Sequence, residues 1–343
     1  MSGTISDNVG RSSGSITEPA GGVEILSSDP TLSNGLVWYN STSNTLKVAR
    51  NVAAFSSGGA LNVAGQSIVG FGTLTAALAG TGYGPGSNAT GRDVECEEYN
   101  GTAWTAVNPM TEAKINSGSA GTAQTAGLLF GGSDNGGNAN RSTESFEYDG
   151  TNWTAGGALN TAAVETQGCG SQTAALRVAG YAGGFSTITE EYNGSSWANK
   201  NSIATGRSVH MVCGTTTAGL TCGGNPITAT TEEFDGTNWT SGGALNTARN
   251  NNHSHGGIQT DAITVGGHDG SAVRFSTTEL YNGTAWSSGA AITRARSNTM
   301  FCGLAAASAG GLCFGGAGPD FNTTHTDTDE YSEALTAKTI TNS

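Results

Sequence analysis

A chain of 343 residues with 54 glycines, 6 prolines and 12% charged residues is neither collagen-like nor disordered. It has no Gly-X-Y period, and disorder comes with high charge and few aromatics. A net charge of −13 with only 14 Lys and Arg disfavours nucleic-acid backbones and anionic membranes.

The N-terminal stretch, residues 1–48, is expected to be an arm. Met1 to Ile16 is polar and lacks the apolar core of a secretory signal, so export by the ordinary route is not supported. No apolar run reaches the roughly 18 residues of a transmembrane helix. Leu36-Val37-Trp38-Tyr39 and Thr45-Leu46-Lys47-Val48 flank Asn40-Ser41-Thr42-Ser43-Asn44, which predicts a hairpin. The hairpin either packs on a neighbouring domain or serves as a docking segment.

Beyond the arm the chain repeats itself. Tyr99-Asn100-Gly101-Thr102-Ala103-Trp104 returns as Tyr148 to Trp153, Tyr192 to Trp197, Phe234 to Trp239 and Tyr281 to Trp286. The tryptophans lie 49, 44, 42 and 47 residues apart. That period suits four-stranded propeller blades of about 40–50 residues. In the fourth unit the strands are expected at Val209 to Gly214, Leu220 to Gly224, Thr230 to Phe234 and from Trp239. The Asn-Gly or Asp-Gly pair predicts a tight hairpin with a positive φ.

A glycine pair is expected to end each second strand: Gly131-Gly132, Gly183-Gly184, Gly223-Gly224, Gly266-Gly267 and Gly315-Gly316. Residues without side chains let backbones approach there. The aromatics Tyr99, Trp104, Tyr148, Trp153, Tyr192, Trp197, Phe234, Trp239, Tyr281, Trp286 and Tyr331 are expected to wedge neighbouring sheets.

The sixth unit ends at Tyr331 with no tryptophan after it. The segment around Phe55 aligns with that around Trp239, so residues 49–57 are expected to add to the last blade as its outer strand. The expected fold is all-β: a six-bladed propeller over 49–335, closed by an N-terminal strand, with a tail at 336–343.

Little in the chain suggests catalysis; P-loop and H-E-x-x-H motifs are absent. His253 and His255, near His268 and Asp269, form the one pattern suited to a divalent metal. Loop histidines at a sheet edge are the plainer reading, and no cofactor is expected. The recurrent Glu97-Glu98, Glu190-Glu191 and Glu232-Glu233 face opposite ways along a strand, so they do not pair as acid and base. Arg207, Arg249, Arg294 and Arg296 stand near first strands, either solvated or bound to backbone, or lining one mouth of the ring. The six cysteines include no C-x-x-C pair and read as small buried residues. A Cys213–Cys222 or Cys302–Cys313 bridge is left open.

Gly-Gly, then a Glu-Glu-Tyr strand, then Trp about five residues on, resembles the kelch repeat over residues 50–335. The Asn/Asp-Gly turn departs from the Asp-Pro of many kelch repeats. The Tyr-Asn/Asp-Gly-Thr-Xaa-Trp blades, the Gly-Gly-Ala-Leu-Asn-Thr-Ala loops and Gly35 to Thr42 resemble kelch-like structural proteins of marine bacteriophages. The resemblance implies a non-enzymatic virion component, a fibre, knob or decoration subunit. Its arm would dock on other virion proteins, and its loops would be free for a host-surface glycan or protein. A cellular kelch interaction module is the alternative.

Overall fold

The computed structural model describes residues 23–84, 92–134, 139–250, 254–271, 273–303, 307–319 and 323–340. The architecture is all-β. Among the described residues the helical content is one 3-10 turn, Ala307–Ala309, and no helix is long and apolar enough to cross a membrane.

Two compact units divide the chain: residues 55–332, and residues 1–54 together with 333–343. The boundaries expected from the sequence, at 48 and 335, fall within a few residues of these. The expected arm hairpin and closing strand share one continuous strand, Thr45–Ser57, and the expected tail continues the strand Thr328–Thr339. Ser332 to Thr339 holds neither proline nor glycine, so nothing there stops a strand.

In the larger unit the same four-stranded antiparallel pattern recurs. The first sheet runs Val69–Thr73, Ala76–Tyr83, Arg92–Tyr99, Trp104–Val107, and the second Gly118–Ala123, Ala126–Phe130, Ser145–Tyr148, Trp153–Ala155. The third runs Gln167–Ser171, Ala174–Val178, Thr189–Tyr192, Trp197–Lys200, and the fourth Met211–Thr215, Ala218–Cys222, Thr231–Phe234, Trp239–Ser241. A fifth set runs Ser254–Ile258, Asp261–Val265, Thr278–Tyr281, Trp286–Ser288. The last runs Met300–Gly303, Gly311–Phe314, Thr328–Thr339, with Thr45–Ser57 next in strand order. Parallel pairing of Ser254–Ile258 with Met300–Gly303 joins these two sets. Each set is shaped like a propeller blade.

First and second strands are buried almost throughout, whereas in the fourth strands Trp104, Trp153, Trp197 and Trp286 are buried, Trp239 is half-buried, and the two residues after each are exposed. The inner strands therefore read as glycine-rich apolar runs. Many of these glycines make room for a ring from the neighbouring sheet. A Cβ on Gly127 would lie 1.9 Å from Phe71 of the first sheet, and one on Gly168 would lie 2.4 Å from Phe130 of the second.

The hydrophobic clusters sit between sheets. Leu129, Phe146 and Trp153 of the second sheet pack on Phe71 and Leu78 of the first. Trp104 and Tyr99 of the first pack on Met300, Leu312 and Phe314 of the last. The rings meet edge-on: Trp104 with Phe314 at 4.9 Å, Trp197 with Phe130 at 5.0 Å.

The smaller unit is a β-module. Val37–Asn40 pairs antiparallel with Thr45–Val48 and parallel with Glu24–Leu26. The C-terminal segment joins it through the Ile340 N–H on Leu46 O at 2.8 Å. Asp29 ties its turn together: Lys47 Nζ and Asn40 Nδ2 donate to it at 2.8 and 2.7 Å.

Candidate functional site

The repeat's recurrent polar side chains meet where the sheets adjoin. Tyr-Asn-Gly-Thr-Xaa-Trp forms a four-residue loop, with Tyr99 opposite Trp104 and Gly101 at φ +89°. Asn100 Oδ1 accepts the N–H groups of Thr102 and Ala103, each at 3.0 Å, and Asp149, Asn193, Asp235 and Asn282 do the same. This loop stacks each aromatic pair. Centroids lie 4.9–5.0 Å apart for Tyr99–Trp104, Tyr148–Trp153, Tyr192–Trp197, Phe234–Trp239 and Tyr281–Trp286. Phe55 meets Tyr331 at the same 5.0 Å.

From that stack the polar ends of the rings reach the preceding sheet. Trp197 Nε1 donates to Ser145 Oγ, Trp239 to Thr189, and Trp286 to Thr231. Trp104 donates to Thr328 of the last sheet at 3.0 Å. Where Phe55 replaces the indole, Thr278 Oγ1 turns to Ala290 O instead. The tyrosine hydroxyls donate likewise. Tyr148 bonds Glu98, Tyr192 bonds Glu147, Tyr281 bonds Glu233, and Tyr99 bonds Glu330 of the last sheet. Where Phe234 lacks the hydroxyl, Glu191 pairs with Lys200. Burial and the neighbouring carboxylates raise these phenols, Tyr281 to about 12, so they donate at neutral pH.

The glutamate two residues before the ring position, Glu97, Glu190, Glu232 or Glu279, is buried and caps the incoming loop. Glu190 accepts Asn160 and Thr161 N–H, and Glu279 accepts Asn246 and Thr247 N–H. Three arginines neutralise these carboxylates. Arg207 meets Glu232 at 2.6 Å, Arg249 meets Glu279 at 2.8 Å, and Arg296 meets Asp329 at 2.5 Å. All three are buried, which corrects the solvated or mouth-lining reading; only Arg294 is exposed, and it pairs with Asp327. A fourth buried arginine, Arg177, lies 3.5 Å from Glu190; burial pulls its guanidinium down to about 10.

Lys114 is the variant of this theme. Phe146 stands where the buried carboxylate would be, and the Lys114 ammonium bonds Glu144, Asp134 and Glu112 instead. Burial pulls Lys114 down, but those bonds outweigh it, and it ends raised. Glu144 is held low by the bond to Lys114. A raised base stabilises below its unfolded value near 10.5, and a lowered acid stabilises above its unfolded value near 4.5. The Tm gap between the wild type and Lys114→Met is therefore expected to be flat from about pH 5 to 10. It shrinks as pH falls through the folded Glu144 value or rises through that of Lys114. A gap that widens in acid would contradict this.

The glycine pairs serve as backbone joints. Gly132, Gly224, Gly267 and Gly316 each donate N–H to a carbonyl of the segment leading into the next first strand, at 2.7–3.0 Å. In four pairs both members have positive φ: Gly131-Gly132, Gly223-Gly224, Gly266-Gly267 and Gly315-Gly316. Gly183-Gly184 does not belong to the set. That joint is Ala179-Gly180, where Gly180 N–H donates to Arg207 O at 2.9 Å. Gly183 and Gly184 lie in the Tyr181–Phe185 turn, and Gly184 has open space around it.

His253 lies outside the described residues, and only the backbone of His255 is described, in the strand Ser254–Ile258. Among the described residues no three His, Cys, Asp or Glu are grouped to hold a metal. All six cysteines are free and buried, which settles both candidate bridges. Cys213 lies opposite Leu220 and Cys302 opposite Leu312, so neither faces its supposed mate. Burial lifts Cys96 to about 11 and Cys169 and Cys222 to about 12, leaving them as thiols at neutral pH.

Sequence reasoning missed the glutamines in the inner turns. Gln124 Nε2 donates to Ala77 O and Tyr99 O, Gln172 to Gly127 O and Tyr148 O, and Gln259 to Gly219 O and Phe234 O. Each thus clamps two strands of the preceding sheet. The signal was a Gln just after the first strand in three units.

No family model matches the chain, and no curated protein matches its sequence. The solved structure of YjhT is similar in fold, with 12% identity and a TM-score of 0.62, covering 81% of this chain and 99% of that one.

Proposed function

We propose that the larger unit is a six-bladed kelch-type β-propeller and that the chain is a non-enzymatic structural subunit of a phage virion. The four-strand pattern recurs six times, and Trp104 and Tyr99 of the first set bond the last set as later sheets bond their predecessors. The observation that carries the structural role is the use of the recurrent ionisable side chains. Arg207, Arg249 and Arg296 are buried against carboxylates, and the tyrosines bond across sheets, which suits a durable display surface.

The smaller unit is the docking arm in this reading. Among the described residues its outermost strand, Glu24–Leu26, is an open edge able to pair with another chain. Virions grown with a gene lacking residues 1–46 are expected to omit the protein, while the truncated chain purified alone keeps the far-UV spectrum of a folded β protein. Normal incorporation of the truncated chain would refute the docking role.

A further inference from the structure

The buried carboxylates of the repeat obtain their cation from one of two places. Arg207, Arg249 and Arg296 stand at the residue whose carbonyl receives the glycine N–H of the preceding sheet. In the third sheet that residue is Ala163, and the cation is Arg177, the cross-strand neighbour of Glu190. In the first sheet both sources are missing. The carbonyl-bearing residue is Gly65, which receives Gly316 N–H at 2.7 Å, and the cross-strand neighbour of Glu97 is Ala79.

A cavity of about 30 Å³ takes the place of the side chains. It offers room for about two waters. Gly65, Ala79, Thr81, Glu95 and Glu97 line it. By strand register, Thr81, Glu95 and Glu97 correspond to Gly223, Thr230 and Glu232 of the fourth sheet. Those three hold Arg207: Nη1 donates to Gly223 O at 3.1 Å and to Thr230 O at 3.2 Å, and Nη2 to Glu232. Glu97 is 4% exposed and accepts Asn62 N–H, Asn62 Nδ2 and Val63 N–H, leaving room for another donor. Among the described side chains no Lys, Arg or His pairs with it.

We infer that this cavity binds the guanidinium group of an arginine side chain presented by a partner protein. Glu97 holds it as Glu232 holds Arg207, and the exposed Glu95 draws it to the mouth. The inference does not depend on the virion reading.

The test is an NMR titration of the full chain, following the Asn62 and Val63 amides. The probes are Nα-acetyl-arginine methylamide, free arginine and the blocked citrulline analogue. At about 10 mM, where a millimolar Kd saturates, the blocked arginine is expected to shift both amides and citrulline to shift neither. Glu97→Gln abolishes the response, and Gly65→Arg abolishes it by filling the cavity from within. A Cβ at residue 65 meets Ile68 Cδ1 at 2.8 Å, so if that variant does not fold, Glu97→Gln decides. No saturable shift, an equal shift with citrulline, or a response surviving in Glu97→Gln overturns the inference. Tenfold tighter binding of free arginine than of the blocked form overturns the partner-protein source.

Discussion

Arg249→Ala is expected to lower the unfolding free energy by about 3–5 kcal/mol, the cost of breaking a buried ion pair from one side. The guanidinium donates to Glu279 at 2.8 Å, to Gly266 O at 2.9 Å and to Thr277 O at 3.1 Å, and it lies 5.2 Å over the Phe275 ring. Its removal leaves a charged Glu279, 3% exposed, and two buried carbonyls short of a donor. Glu279 cannot swing out to water, because it also caps Asn246 and Thr247. Glu279→Gln in the Arg249→Ala background is expected to restore part of the loss, since it removes the buried charge and its amide oxygen still accepts one of those two N–H groups. Urea unfolding with unchanged slope measures both. A loss below about 1 kcal/mol would mean that the pair behaves as a surface one.

Trp104→Ala is expected to cost a similar amount, about 3–5 kcal/mol. The indole is 5% exposed, meets Phe314 edge-on, and donates to Thr328. It therefore joins the first sheet to the last. Trp239 carries the same sequence signature but is only half-buried, so Trp239→Ala should cost clearly less. Equal losses in the two variants would contradict the burial argument.

Much of this was legible in the chain because the repeat averages over noise. The period of the tryptophans marked the four-stranded sets, and the alignment of Phe55 with Trp239 pointed to its place beside Tyr331. The Gly183-Gly184 error came from reading composition where backbone conformation decides. Ala179 accepts a left-handed φ of +52° before Gly180, so the true joint does not read as a glycine pair. The ion pairs were hidden by loop length: the partners lie 25, 30 and 33 residues apart for Arg207, Arg249 and Arg296. The gap beside Glu97 could be seen only once register aligned Gly65 with those arginines and Ala79 with Arg177.

Thr45–Ser57 stands next to Thr328–Thr339 in strand order, so a strand from the N-terminal region completes the last sheet. Residue-resolved hydrogen exchange tests it most directly. The Gly58 amide donates to Thr328 O at 2.9 Å, and Trp104 anchors on Thr328 from the other side. Amides of Phe55 to Gly58 are expected to exchange only with global unfolding, together with those of Thr328 to Tyr331 and Tyr99. Exchange of Phe55 to Gly58 within the first minutes, while the other two groups stay protected, would contradict it.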